Sequence, residues 1–263
     1  MMRVLGVFST LVLAYLLLPV AVVVGSALGQ TPYLAFPPHG LTLHWFAAAL
    51  ADPRYVRAFL TSLWIAGATT VLALLVGLPA SYALARLDFP GRRSIETAAT
   101  MPLVLPALVL AIGLTILCSQ IGFTAGGPRL VLAHLVLCAP YVVRVALPVL
   151  QRLDTALEEA AQNLGASPAS TFLLVTLPAI RPGAIAAATL AFVVSFDEID
   201  LAIFLSDPRA PTLPVTIYSA VQLGIDPVVA AVSALLVLLA ALGMLLYQAV
   251  LWRQTAGRAG ARA

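Results

Sequence analysis

Apolar residues gather into six long runs, at residues 4–27, 59–85, 98–118, 130–150, 183–205 and 228–251, with shorter polar stretches between them. The runs carry at most one charge each, save the fifth with three acids toward its end, and each reaches the roughly 20 residues that a helix needs to cross the hydrocarbon core of a bilayer. The pattern predicts an all-α membrane protein with six transmembrane helices. The first run exceeds the roughly 7–15 residues of a signal-peptide apolar region, and only Arg3 precedes it, so it reads as a retained anchor helix. Residues 1–28 are then an anchor, 57–251 a five-helix core that includes a polar segment at 154–178, and 252–263 a tail.

Prolines fall within or at the edges of the runs, at Pro19, Pro79, Pro102, Pro106, Pro140 and Pro148. Each removes a backbone donor and kinks its helix, which a membrane bundle tolerates beside a neighbour or a cavity. A bent bundle around a pathway is expected. Small residues such as Ser62, Ala66, Gly67, Ala230, Ala231, Ser233 and Ala234 permit close helix approach.

Composition agrees with this pattern. Hydrophobic residues make up 62% and charged residues 10%, with a mean hydropathy of +1.04; an ordinary soluble domain has roughly 25% charged residues. There is no lysine, so orientation rests on arginine. With the N-terminus inside, Arg3, Arg86, Arg92, Arg93, Arg152, Arg181, Arg253, Arg258 and Arg262 lie in internal segments, and Arg54, Arg57, Arg129 and Arg209 lie outside. That bias predicts that both termini lie in the cytoplasm. It also accounts for the net charge of +3 without a basic patch for nucleic acid. Arg144 stands apart, inside the fourth run.

The outer segment 30–55 carries Pro32, Pro37, Pro38 and the aromatics Tyr33, Phe36, Trp45 and Phe46, as expected of a short interfacial cap. The outer stretch 207–214 reads as a proline-stiffened loop, either a contact for an extracytoplasmic protein or a rigid connection. Cys118 and Cys138 lie in runs without metal or redox spacing and read as small buried hydrophobes. His39 and His44 read as interfacial. His134 has no second ligand at metal spacing, and it is either a pathway group or a packing residue, more often the latter.

The polar segment between the fourth and fifth runs is ordered by its own signals. Thr155 followed by Glu158 is a capping-box pattern, which predicts a short helix through Glu159, Ala160 and Ala161. Gly165 suits a left-handed stop. Ser167-Pro168 starts a second helix, and Pro178 is expected to close it. Left to itself, such a segment could be an amphipathic hairpin joining two spans.

The spacing Glu159-Ala160-Ala161, three residues, Gly165, nine residues, Val175, one residue, Leu177-Pro178 resembles the signature of ABC importer permeases, with Val175 in place of the usual isoleucine. Looser similarities run from Leu41-Thr-Leu-His-Trp-Phe through Phe89-Pro-Gly-Arg-Arg and Pro140-Tyr-Val-Val-Arg144 to Ser195-Phe-Asp-Glu198, and together look like the spermidine/putrescine-type permeases. The resemblance implies a type I ABC importer permease fold. It also implies that Glu159, Ala160, Ala161, Gly165, Val175, Leu177 and Pro178 receive the motion of an ATP-binding subunit. The implied partners are ABC ATP-binding subunits, a second permease subunit and an extracytoplasmic solute-binding protein, with membrane lipid around the bundle. No cofactor is implied on this chain, since ATP belongs to the partner subunit. A P-loop requires a lysine, and these 263 residues contain none.

Asp197, Glu198 and Asp200 are three acids in the outer half of the fifth run, and charge at that depth faces a cavity or finds a partner. At about 100° per residue on a continuous helix, Asp197 and Asp200 share a face and Glu198 points aside. Two such carboxylates, with Tyr141 or Phe196 for cation–π contact, suit the spaced ammonium groups of a polyamine. The alternative is an internal pair with Arg144, strained by a depth difference of roughly 10 Å at about 1.5 Å per residue. Other solutes fit the same signature, among them phosphonate, thiamine and iron, and a channel or proton-coupled carrier could use the same acids. An intramembrane enzyme would need a nucleophile and base or clustered ligands, and the sequence offers isolated histidines and acids on one segment.

Overall fold

A computed structural model describes residues 2–224 and 226–260, with side chains at 5–224 and 226–245, and the regular structure among them is helical throughout. The chain forms two compact units. One comprises the residues up to Val56 with those from Thr216 onward; the other is Arg57–Val215.

In the first unit, α1 (Met2–Ala27) and α2 (His44–Ala51) pack on α13 (Pro227–Gly260). Ala230, Ala231 and Ala234, among the small residues expected to allow close approach, are buried, and so are Ala27 and Ala49. Toward its N-terminus α1 exposes leucine, valine and aromatic side chains, including Phe8 and Tyr15, which lipid tolerates as readily as protein does. The expected outer cap takes its shape from backbone carbonyls. Trp45 Nε1 donates to Gly29 O at 2.8 Å, and Thr42 N donates to Leu28 O at 2.8 Å.

The second unit is built around α6 (Gly126–Arg152), whose buried face runs from Leu130 through Leu137, Val142 and Ala146 to Leu150. Against it lie α10 (Arg181–Asp197) and α11 (Asp200–Leu205), with α5 (Ala107–Gln120) packed on α11. The long helix α3 (Pro53–Arg86) begins six residues ahead of its apolar run and belongs to this unit from Arg57 on. A methyl group at Gly77 would lie 2.6 Å from Val142 Cγ1, so α3 and α6 meet where glycine removes the side chain.

Two expected spans are broken. The third is divided into α4 (Arg92–Thr100) with a 3₁₀ turn at Met101–Leu103, and α5, which turns away by 102°. Pro106 stands extended at the start of α5 (ψ 132°), and a residue ahead of proline is driven out of the helical region. The 14 residues of α5 extend about 21 Å beyond the bend at the helical rise. The fifth span ends at Asp197; Glu198 is extended (ψ 116°) and a separate short helix, α11, follows. Glu198 is itself the reason, because its Oε1 accepts from Asp200 N at 3.0 Å and Leu201 N at 3.3 Å, the side-chain competition that starts a new helix.

The stretch 207–214 is not simply a loop, since α12 (Leu213–Leu223) begins within it. Leu213 N donates to the buried Ser62 Oγ at 2.8 Å, and the Arg129 guanidinium donates twice to Leu205 O, at 3.1 and 2.9 Å.

Candidate functional site

Between α6 and α10 the chain forms α7 (Ala156–Asn163), a glycine elbow, α8 (Pro168–Thr171), a wide π-helical turn at Phe172–Thr176, and α9 (Leu177–Ala179). The elbow is as the sequence predicts. Gly165 has φ +91°, Ala166 N donates to Ala161 O at 3.0 Å and Gly165 N to Gln162 O at 2.9 Å, the paired bonds of a Schellman stop. Ser167 Oγ accepts from Ser170 N at 3.2 Å, with Pro168 at the first helical position.

Two expectations need correction. Thr155 is helical and makes no capping bond; Asp154 Oδ1 takes the cap instead, accepting from Ala156 N at 3.0 Å. The carboxylate of Glu158 turns inward rather than back to the cap. Pro178 does not close the second helix either. The turn ahead of it widens, with Leu177 N donating to Phe172 O, and the helical path continues over Pro178 to a break at Ile180, where it bends 82° into α10. A π turn accommodates a residue that lacks an amide and whose ring presses on the preceding turn.

The two adjacent glutamates of α7 have opposite fates. Glu158 is 3% exposed and forms an ion pair with Arg86 (Nε to Oε2, 2.7 Å). Thr176 Oγ1 donates to Glu158 Oε1 at 2.8 Å, and Arg86 Nη2 donates to Leu153 O at 3.1 Å. Glu159 and Ala160 are exposed beside Gln162, Asn163 and Leu164, and Ala161 is half-buried. Leu164, 90% exposed, and Leu157 are exposed apolar side chains of the same segment. Val175 and Leu177 are half-buried, Leu177 against the cluster around Leu150 and Ile180, and Pro178 is exposed. The Arg86–Glu158 pair escapes sequence reasoning because the capping pattern claimed Glu158. Its signal was an arginine closing an apolar run, with a second glutamate next to Glu159.

The break in the fifth span overturns the shared face of Asp197 and Asp200, since helical phase is lost at Glu198. Asp197 is exposed at the end of α10, Asp200 is half-buried at the start of α11, and Glu198 is occupied as a cap. Phe196 stacks on Phe192 (centroids 5.8 Å apart) and meets the edge of Phe59 at 6.0 Å. Tyr141 is half-buried against the cluster that contains Ile65, Leu137 and Leu201. Arg144 is exposed, and among the described residues none of the three acids pairs with it. His134 is fully buried, with Nδ1 2.8 Å from Ser195 Oγ, and so joins α6 to α10, while its Nε2 has no hydrogen-bond partner among the described residues. Among the described residues no group of histidine, cysteine and acidic side chains is placed to hold a metal.

This signature segment lies within residues 73–254, which match the model of the family of binding-protein-dependent transport system inner membrane components. The chain belongs to this family. Among its relatives is the putrescine transport system permease protein PotI of Escherichia coli, 34% identical over 204 residues, covering 75% of this chain and 73% of the relative. The spermidine/putrescine transport system permease protein PotC of Escherichia coli is 28% identical over 255 residues, covering 97% of this chain and 96% of the relative. The trehalose transport system permease protein SugB of Mycobacterium tuberculosis is 31% identical, covering 81% of this chain and 79% of the relative. In fold this inner-membrane component resembles a bacterial ABC transporter involved in the import of alginate, with a TM-score of 0.75 at 15% identity, covering 94% of this chain and 96% of that one. It also resembles the MetNI methionine ABC transporter, with a TM-score of 0.63 at 21% identity, covering 75% and 94%. The all-helical architecture is thus that of the type I ABC importer permeases.

Proposed function

We propose that this permease carries polyamines, putrescine or spermidine, inward across the membrane, driven by ATP hydrolysis in a partner subunit. It pairs with a second permease, two ABC ATP-binding subunits and an extracytoplasmic solute-binding protein, with its own two termini in the cytoplasm. The match to PotC along nearly the whole of both chains carries this reading. The acids Asp197 and Asp200 support it, because a carboxylate on the transport route favours an ammonium-bearing solute. The trehalose relative favours a neutral sugar instead, a solute that gains little from carboxylates.

In this reading, the exposed face of α7 docks in the ATP-binding subunit. Glu159 offers a charge, Ala160 and Ala161 let backbones approach, and Leu164 supplies an apolar anchor. Gly165 sets the angle at which Val175, Leu177 and Pro178 lead back into the bundle. Closure of the ATP-binding subunits displaces this segment and rocks the bundle between outward and inward access. The solute route passes Asp197, Glu198 and Asp200, with Phe196 and Tyr141 nearby as aromatic walls.

The test is uptake of radiolabelled putrescine and spermidine into proteoliposomes that hold the complete complex, with and without ATP and with unlabelled trehalose as competitor. ATP-dependent uptake that trehalose leaves unchanged is expected. Uptake without ATP, or a tagged chain that retains no ATP-binding subunit, overturns the importer reading. Competition by trehalose with no putrescine uptake overturns the polyamine assignment alone.

A further inference from the structure

An eight-residue helix such as α7 has too few turns to hold itself in water, so tertiary ties decide its position. The strongest of those ties is the ion pair beneath it. Its carboxylate side chain is 5% exposed and its guanidinium side chain 12%, and removing two charges from water to that degree is costly unless both are fully bonded. Here they are. Glu158 Oε2 takes Arg86 Nε, Oε1 takes the Thr176 hydroxyl, and the remaining reach of the guanidinium goes to the Leu153 carbonyl. Arg86 is the last residue of α3, Leu153 follows the last residue of α6, and Thr176 ends the π turn that leads into α10. One node therefore ties α7 to the ends of two bundle helices and to the turn that leads toward a third.

The two faces of α7 divide the labour. Glu158 points into the node, while Glu159 and Ala160, on the following positions, are exposed. An apolar pair of similar volume often serves stability as well as a buried ion pair does, so what the ion pair adds is a defined geometry. We propose that Arg86 and Glu158 form a latch that makes α7 move as one piece with the adjoining ends of α3, α6 and the lead into α10. Arg86 is then a positioning residue of the coupling step, acting through Glu158 without touching the solute or ATP. This latch rests on the importer reading given above.

The experiment uses the complete complex in proteoliposomes, with Glu158→Gln, Arg86→Gln, the apolar pair R86M/E158M and Thr176→Val. Three quantities are read: ATP-binding subunit retained per tagged chain, ATP hydrolysis without solute, and putrescine taken up per ATP hydrolysed. Retention is expected to persist, because the Glu159 face is untouched, while putrescine per ATP falls roughly two- to thirty-fold, the range that follows loss of one member of a coupling network. Thr176→Val, which removes one hydroxyl, is expected to shift the ratio in the same direction by less. It carries the test if the charge variants do not assemble. Variants that assemble in lower yield but keep the wild-type ratio and the wild-type solute-free hydrolysis overturn the latch and leave a purely structural pair. A wild-type chain that retains no ATP-binding subunit overturns the importer reading and the latch with it. A wild-type complex that hydrolyses ATP but ignores putrescine overturns only the solute; there the latch stands on raised solute-free hydrolysis in the variants, and equal rates overturn it.

Discussion

Gly67 and Gly77 lie in the interior of the same helix, α3, and substituting each with alanine isolates one packing contact. The backbone gain is common to both, about 0.5–1 kcal/mol from restricting the unfolded chain. What the new methyl group meets is different. At Gly67 nothing lies within 4 Å, whereas at Gly77 it meets Val142 Cγ1 at 2.6 Å, Val142 Cβ at 2.7 Å and the Ala139 carbonyl oxygen at 3.4 Å. Comfortable carbon–carbon contact is about 3.5–4.0 Å, so the overlap is about 1 Å. Val142 is fully buried and β-branched, with one preferred rotamer on a helix, so it cannot step aside and α3 must separate from α6. Overpacking of this kind costs about 1–3 kcal/mol. Gly67→Ala should therefore stabilise by about 0.5–1 kcal/mol, and Gly77→Ala should be about 1–3 kcal/mol less stable than Gly67→Ala whatever the propensity scale. The assay is SDS-driven unfolding of the purified chain in detergent micelles, followed by circular dichroism. Equal stability of the two variants, within the about 0.5 kcal/mol to which distant sites add, would refute the close approach of α3 and α6.

Gly165→Ala places a Cβ at φ +91°, a backbone cost of about 1–2 kcal/mol, and should raise hydrogen exchange at residues 156–166 about 5- to 30-fold, with Gly165→Asn much closer to wild type; unchanged exchange contradicts the elbow. Ser62→Ala leaves the buried Leu213 amide without its acceptor and should cost about 1–3 kcal/mol in the same SDS assay, with Ser62→Thr restoring most of it. Asp197→Asn and Asp200→Asn should each lower putrescine uptake while the ATP-binding subunit is retained, and undiminished uptake removes them from the route. Glu198→Gln behaves differently: it weakens the start of α11 and should show first as about 0.5–2 kcal/mol of lost stability, near the value of a helix cap.

Much of the site is legible along the chain because its determinants are local. A left-handed glycine and a serine–proline start are properties of a few consecutive residues, and Gly165 and Ser167-Pro168 behave as those residue types dictate. Reasoning failed where a side chain had two possible partners. Thr155 and Glu158 form an acceptable capping box by spacing, but Asp154 is nearer the cap and Arg86, 72 residues away in sequence, competes for the carboxylate. The same competition broke the fifth span. Its hydropathy is that of a continuous helix, and Glu198 caps a new helix within it.

Membrane class, the number of apolar runs and the signature segment with its glycine elbow were determined by the sequence alone, since hydrocarbon thickness and local backbone preferences act on consecutive residues. Only the tertiary structure decided which glutamate of α7 is buried, where the third and fifth runs bend, and that Arg144 stays clear of the acids. The bends arise locally, at Pro106 and at Glu198, but hydropathy carries no trace of them; the burial of Glu158 depends on Arg86 reaching it across the fold, and sequence separation carries no record of that distance.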